Sequence, residues 1–168
     1  CENQNVRKLV RIKHGPVLFD LSQTAAGLLI KVLNAKLSSS GQKELESFVR
    51  EWFDLETDLK TFYTLAKKDP LLKDLVKKFY GYRIVGQPDL FEFLVWAVLG
   101  QQINVQFAYT LKQRFVETFG EKMIYENRNY YLFPKPEKVA LLNDDHLLPL
   151  QFSRQKSKYT VLIAEAFA

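Results

Sequence analysis

Residues 88–120 read PDLFEFLVWAVLGQQINVQFAYTLKQRFVETFG, and this stretch restricts the fold more than any other. From Leu90 to Leu99 only Glu92 is polar. A helix apolar nearly all round belongs in a core. Asp89 is its N-cap, and Glu92, three residues on, completes a capping box. Gly100 ends the helix, as glycine commonly does one residue past the last turn. Asn104 caps a second helix. That helix sets Ala108, Leu111, Phe115 and Phe119 on one face before Gly120 stops it. Gln101, Gln102 and Ile103 therefore occupy a tight bend between a core helix and an amphipathic one.

Upstream, residues 6–34 favour strands. VRKLVRI, VLFDL and LLIKVLNA are short apolar runs separated by HGP and SQTAAG, the pattern of a small antiparallel sheet. LLIKVL also fits a helix piece, since periodicity does not separate the two at this length. SSSG at 38–41 is the clearest break. After it, Leu45, Phe48, Val49, Trp52 and Phe53 form a helical stripe, as do Leu59, Phe62, Tyr63 and Ala66, and Leu72, Leu75, Val76 and Phe79. Asp69-Pro70 reads as a cap with proline at the first helical position. Lys73, Lys77 and Lys78 form the solvated face of that third helix.

Downstream, GEKMIYENRNYYLFP reads as a hairpin or ordered loop, Pro136 opens a short helix through Leu142, and Asp144 caps another turn. Ser153 caps a last helix with Tyr159, Leu162, Ile163, Ala166 and Phe167 on one stripe. Arg154, Lys156 and Lys158 crowd the start of that helix, where cations oppose the dipole. That cost points to an anionic partner. The fold class is α+β. Residues 1–40 are a partial antiparallel β domain, and residues 41–168 an incomplete helical domain.

Charge and composition exclude more than they assign. The net charge is +5. Residues 1–40 hold six Lys/Arg against two Asp/Glu, residues 41–103 nine against ten, and residues 104–168 nine against seven. This surplus permits nucleic-acid binding without demanding it. The single cysteine, Cys1, rules out an internal disulfide and fits a reducing compartment. His14 and His146 are the only histidines and lie in no ligand-spaced cluster, so no metal is expected. No apolar run is long enough to span a bilayer, and no signal peptide opens the chain. There is no CxxC pair, Gly-rich phosphate loop, HExxH or GxSxG.

The GQQIN turn is where function can enter. Gln101 can satisfy backbone groups at the helix end, which is a structural role. An exposed Gln102 at the apex can also enter a duplex and fill the space of a displaced base, although the usual wedges are apolar.

VWAVLGQQINVQFAYTLKQRFVETFG resembles the glutamine-bearing turn of the helix-hairpin-helix DNA glycosylases, in particular the 3-methyladenine DNA glycosylase II, or AlkA-like, type. EWFDLETDLKTFY (51–63), DPLLKDLVKKFYGYRIVGQPDLFE (69–92), YYLFPKPEKVALL (130–142) and SRQKSKYTVLIAEA (153–166) extend the resemblance in the same order. It covers about residues 44–168, with residues 1–40 the tail of an N-terminal β domain.

The resemblance implies base excision repair. Such an enzyme flips a damaged nucleotide out of duplex DNA and hydrolyses the bond between base and sugar. The substrates implied are alkylated bases such as 3-methyladenine, with no metal or organic cofactor. The partner is double-stranded DNA carrying damaged bases, and the protein a monomer acting on chromosomal DNA in the cytoplasm. Gln102 matches the position that wedges into the vacated space, with Gln101 and Asn104 completing the DNA-binding turn. Where AlkA-type members carry leucine, glutamine fills by hydrogen bonding as well as volume.

The family's Leu-x-Gly-x-Gly hairpin has no counterpart here, because no two glycines are separated by one residue. In the family the catalytic aspartate lies downstream of that hairpin. The chain starts without methionine and stops inside an amphipathic helix, the form of a segment truncated at both ends. No catalytic residue is expected within it, and these 168 residues alone are expected not to release bases. The alternatives are a noncatalytic DNA-binding protein that keeps the wedge turn, and a helical interaction module unrelated to DNA.

Overall fold

The computed structural model describes residues 5–25 and 27–168. Cys1 lies outside them, as does Ala26 in the SQTAAG segment. Residues 1–42 and 89–168 form one compact unit, and residues 43–88 a second.

In the first unit, β1 (Asn5–Ile12), β2 (Gly15–Thr24) and β3 (Gly27–Val32) make an antiparallel sheet in the order β1-β2-β3. The sequence predicts three strands here, and LLIKVL is a strand rather than a helix. The predicted SQTAAG loop is shorter than expected, because Ser22, Gln23 and Thr24 pair with Leu29, Leu28 and Gly27. Once β2 and β3 share a face, each added pair satisfies two strands' backbone groups, so the ladder extends into polar sequence.

A second ribbon joins β4 (Glu121–Tyr125) to β5 (Arg128–Leu132). Its turn residues Glu126 and Asn127 both have positive φ, 47° and 58°, the twist a two-residue hairpin needs. Leu132 packs with Leu9 and Leu18 of the sheet, flanked by Met123, Tyr125 and Tyr130. Arg7 pins the same join. Its guanidinium donates to both oxygens of Asp20, at 2.7 and 2.9 Å, and also to Glu126 and Tyr130 on the ribbon.

The helical part of this unit is built on α4 (Leu90–Gly100) and α5 (Val105–Phe119). α5 buries Ala108, Leu111, Phe115 and Phe119, the four the pattern predicts. They share a core with Phe91, Val95 and Leu99 of α4 and with Val139, Leu147, Phe152 and Ala164. Gly120 stops α5 for a reason other than a left-handed φ: a Cβ there would collide with the carbonyls of Leu132 and Val116. α4 is less enclosed than its composition implies, for Leu90 and Phe93 are 58% and 47% exposed. One side of an all-apolar helix fills the core, and nothing in the pattern says which.

Glu92 does not close a capping box. Asp89 does accept from the Glu92 N–H at 2.9 Å. The Glu92 carboxylate, however, takes the Lys112 ammonium at 2.7 Å, and that ammonium lies 5.1 Å from the Trp96 ring centre. An ion pair between two half-shielded groups outweighs a reach back to one backbone N–H. Lys8 of β1 feels the charges of Glu92, Asp89 and Lys112, and burial pushes its ammonium below the ordinary lysine value.

α6 (Pro136–Val139) and α7 (Asp144–Leu147) are single turns, so the predicted helix through Leu142 ends early. Asn143 rather than Asp144 caps α7, in a reciprocal box with His146. Asp144 instead accepts from Ser157 Oγ at 2.6 Å. α8 (Arg154–Phe167) buries Ser157, Thr160 and Ala164. Its predicted apolar stripe faces mostly outward, with Leu162 47% exposed. Small residues let α8 lie close against its neighbours, and that close approach selects the buried side.

The second unit holds most of α1 (Ser39–Trp52), with α2 (Lys60–Ala66) and α3 (Lys73–Lys78). SSSG is the start of α1 rather than a break before it, with Ser38 Oγ accepting from the Gly41 N–H. Asp69 accepts from the N–H groups of Leu71 and Leu72, but Pro70 lies in the turn ahead of α3. Within this unit Arg83 donates to the carbonyls of Asp54 and Thr57, and Tyr63 stacks on Tyr80 with ring centres 4.7 Å apart.

The Arg7–Asp20 pair sets a pH dependence. Hydrogen bonding to Arg7 holds the Asp20 carboxyl below its ordinary value of 3.8. Its folded pKa is depressed, so its contribution is complete above 3.8 and is lost as pH falls through the lower folded value. Denaturant titrations at neutral pH and below 3.8 should show wild type losing more stability on acidification than Arg7→Gln. Equal losses would rule the pair out as a source of acid sensitivity.

Candidate nucleic-acid interface

An α-helix ends with carbonyls that have no partner inside the helix. At the end of α4 the Gln101 N–H donates to Val98 O at 3.3 Å. Further bonds to this end come from another helix. Lys156 Nζ donates to Val98 O at 2.8 Å, Leu99 O at 3.0 Å and Gln101 O at 2.8 Å. An ammonium has three N–H donors, and here all three have acceptors. The cation also sits at the negative end of the α4 dipole.

The four turn residues are placed differently. Gln101 is the C-cap of α4, extended at φ −65° and ψ 132°. Gln102 follows with φ 56°, in the left-handed region. Both glutamines are exposed. Ile103 turns inward and packs against the helical core. Asn104 is the N-cap of α5, its Oδ1 accepting from the Phe107 N–H at 2.8 Å. So the turn is anchored on one side by Lys156 and on the other by Ile103 and Asn104, with Gln102 between them at the apex.

The sequence places Gly100 one residue past the helix, but Gly100 is the last residue of α4. A Cβ at Gly100 meets nothing within 4 Å. The left-handed step falls at Gln102, which the glycine rule does not point to. An amide side chain on an exposed apex carries both a donor and an acceptor, so it can fill a gap in a stacked helix and hydrogen-bond there.

Sequence reading missed Lys156 as part of this turn. The signal was present in the cation crowding at the start of α8. Lys156 is the third residue of α8, and its own N–H is capped by Ser153 Oγ at 3.2 Å. The negative partner expected there is, for Lys156, the carboxyl end of α4. Desolvation pushes the Lys156 ammonium below the ordinary lysine value. Among the described residues no group of three or more His, Cys, Asp or Glu could hold a metal ion, and no helix is long and apolar enough to cross a membrane.

Residues 2–94 match the family described as 8-oxoguanine DNA glycosylase, N-terminal domain. Residues 95–168 match the HhH-GPD superfamily of base excision DNA repair proteins. The chain is 47% identical over 127 residues to the DNA-3-methyladenine glycosylase of Bacillus subtilis, covering 76% of this chain and 42% of that protein. It is 30% identical over 86 residues to DNA-3-methyladenine glycosylase 2 of Escherichia coli, covering 51% of this chain and 30% of that protein. The chain thus spans about two fifths or less of the length of the curated relatives it matches.

Among solved structures, the 3-methyladenine DNA-glycosylase from Archaeoglobus fulgidus superposes with a TM-score of 0.82 at 21% identity, covering 98% of this chain and 56% of that one. The Clostridium acetobutylicum 8-oxoguanine glycosylase/lyase, in complex with double-stranded DNA, superposes with a TM-score of 0.70 at 21% identity, covering 94% and 54%. At such identities the likeness establishes the fold.

The open space at Gly100 gives a test of the turn's geometry. Gly100→Ala should stabilise the protein by about 0.4–1 kcal/mol, the usual gain where alanine fits the native backbone. Denaturant unfolding reads it, and a loss of stability would mean that the end of α4 has no room for a Cβ at Gly100.

Proposed function

The chain belongs to the HhH-GPD superfamily of base excision DNA repair proteins, with an N-terminal part of the 8-oxoguanine DNA glycosylase type, and on that premise we propose that it is part of a monofunctional DNA glycosylase for alkylated bases such as 3-methyladenine. The reaction hydrolyses the N-glycosidic bond after the damaged nucleotide leaves the stack. Alkylation makes the purine a better leaving group by giving it positive charge. Extrusion costs a few kcal/mol, least where damage has already weakened pairing or stacking. Something must hold the vacated space open, and Gln102 is the residue we assign to it. Gln101 and Asn104 shape the turn around it and complete the DNA-binding segment.

The observation that carries this reading is the apex itself. An exposed amide stands at positive φ between two helices that share one core. A turn that served only to reverse the chain would hold that backbone more cheaply with glycine or asparagine. The lesion is taken as an alkylated base because the curated relative with 47% identity is named for 3-methyladenine, although the N-terminal match is to an 8-oxoguanine family. We assign no catalytic residue to this chain. We place the protein inside the cell as a monomer on damaged duplex DNA.

The test is Gln102→Ala in the full chain, with binding to a duplex carrying a tetrahydrofuran abasic analogue. Affinity should fall about tenfold, the equivalent of 1.4 kcal/mol, while thermal unfolding is unchanged. Unaltered affinity would remove Gln102 from the interface. Release of 3-methyladenine from methylated duplex by the full-length protein, set beside its 8-oxoguanine release from oxidised duplex, decides the lesion class. Tight abasic-site binding with release of neither base would favour a noncatalytic binder.

A further inference from the structure

We propose that Lys156 is a positioning residue for the Gln101–Asn104 turn, fixing the backbone that presents Gln102; the proposal rests on the wedge reading above. Three observations converge on it. The Lys156 ammonium gives all its N–H donors to carbonyls at the end of α4, the last of them Gln101 O. That carbonyl belongs to the peptide leading directly into Gln102. Gln102 stands at φ 56°, and a non-glycine residue keeps such a conformation only where its surroundings over-determine it. Lys156 supplies the determination on the α4 side, matching Ile103 and Asn104 on the α5 side.

The placement is costly everywhere except at α4. A lysine in the first turn of α8 opposes that helix's dipole, and the residue is partly buried. What offsets both costs is the set of carbonyls it meets. Arginine does not replace it, because a planar guanidinium fork directs its donors in one plane rather than onto three converging acceptors. The aim of the side chain is itself fixed, since Phe152 is buried in the core and Ser153 caps the helix just ahead of it. Movement of α8 is thereby linked to the wedge turn through one side chain.

Lys156→Met preserves length and apolar stem and removes the donors. In the full chain it should weaken binding to the abasic-analogue duplex about tenfold and leave undamaged duplex within about twofold. Lys156→Arg should fall short of wild type on the same ratio. In a Gln102→Ala background, Lys156→Met should add no further loss, because the two act as one unit. Equal weakening on both duplexes, with a salt slope lower by about one and rescue by arginine, would mean a phosphate contact and would overturn the proposal. So would a lower unfolding temperature with an unchanged binding ratio.

Amide hydrogen exchange separates this proposal from the wedge reading. If Gln102→Ala leaves DNA binding intact, the wedge reading fails. Faster exchange at Gln102 and Ile103 in Lys156→Met then still supports the clamp, and unchanged exchange sinks it. Should Lys156→Met not fold, the same exchange and binding ratios in Lys156→Arg decide.

Discussion

The hydrogen bonds from one ammonium to the end of α4 hold the turn between α4 and α5 from behind. A buried helix brings a problem to its last turn, where carbonyls lose their partners while still partly shielded from water. Leaving such groups unmet costs about 1–3 kcal/mol each. A glycine-based terminus would meet the carbonyls with backbone N–H groups from a reversed chain, which would consume the turn. Here Lys156 meets those of Val98 and Leu99, with that of Gln101, from α8, and Gln101 and Gln102 stay exposed.

The other end of α4 is tied with equal economy. Asp89 caps the first turn, and Glu92 holds Lys112 of α5 beside Trp96 and Phe133. Lys8 brings the β-sheet into the same electrostatic neighbourhood. Arg7, one residue away in β1, spans the sheet and the β4–β5 ribbon through Asp20, Glu126 and Tyr130. α4 is therefore a strut with a charged fastening at each end and an apolar shaft between. The sheet, marginal as three strands alone, gains its packing partner in the ribbon.

Much of this was legible because it depends on local rules. The three strands, the caps Asp89, Asn104 and Ser153, and the buried face of α5 all follow from periodicity and capping chemistry within a few residues. What the pattern did not disclose depends on contacts between distant segments. α8 has two candidate inner faces, and the one with Ser157, Thr160 and Ala164 lies inward because it allows close approach. Leu90 and Phe93 stay open on α4 because the core needs only Phe91, Val95 and Leu99. Glu92 had a local partner in the Asp89 N–H and a distant one in Lys112, and the charge prevailed. Lys156 lies 55 residues from Gln101 in sequence, so only its uneasy position at the start of a helix marked it. The Gln101–Gln102 bend was legible as a place, while its left-handed step at Gln102 was not.

That left-handed step falls on a residue other than glycine. An L-residue in the left-handed region costs roughly 1–2 kcal/mol, and glycine would remove the cost. Gly100 stands two residues earlier in a helical conformation that any residue accepts, with open space where a Cβ would go. The chain therefore carries its glycine where the backbone does not need one and a glutamine where it would. Stability alone favours the opposite arrangement. On the proposed wedge reading, that preference yields to what the side chain does at the apex. On the same reading, the Lys156 bonds to the end of α4 supply the rigidity the role requires, since a strained backbone left unsupported would relax and withdraw the amide.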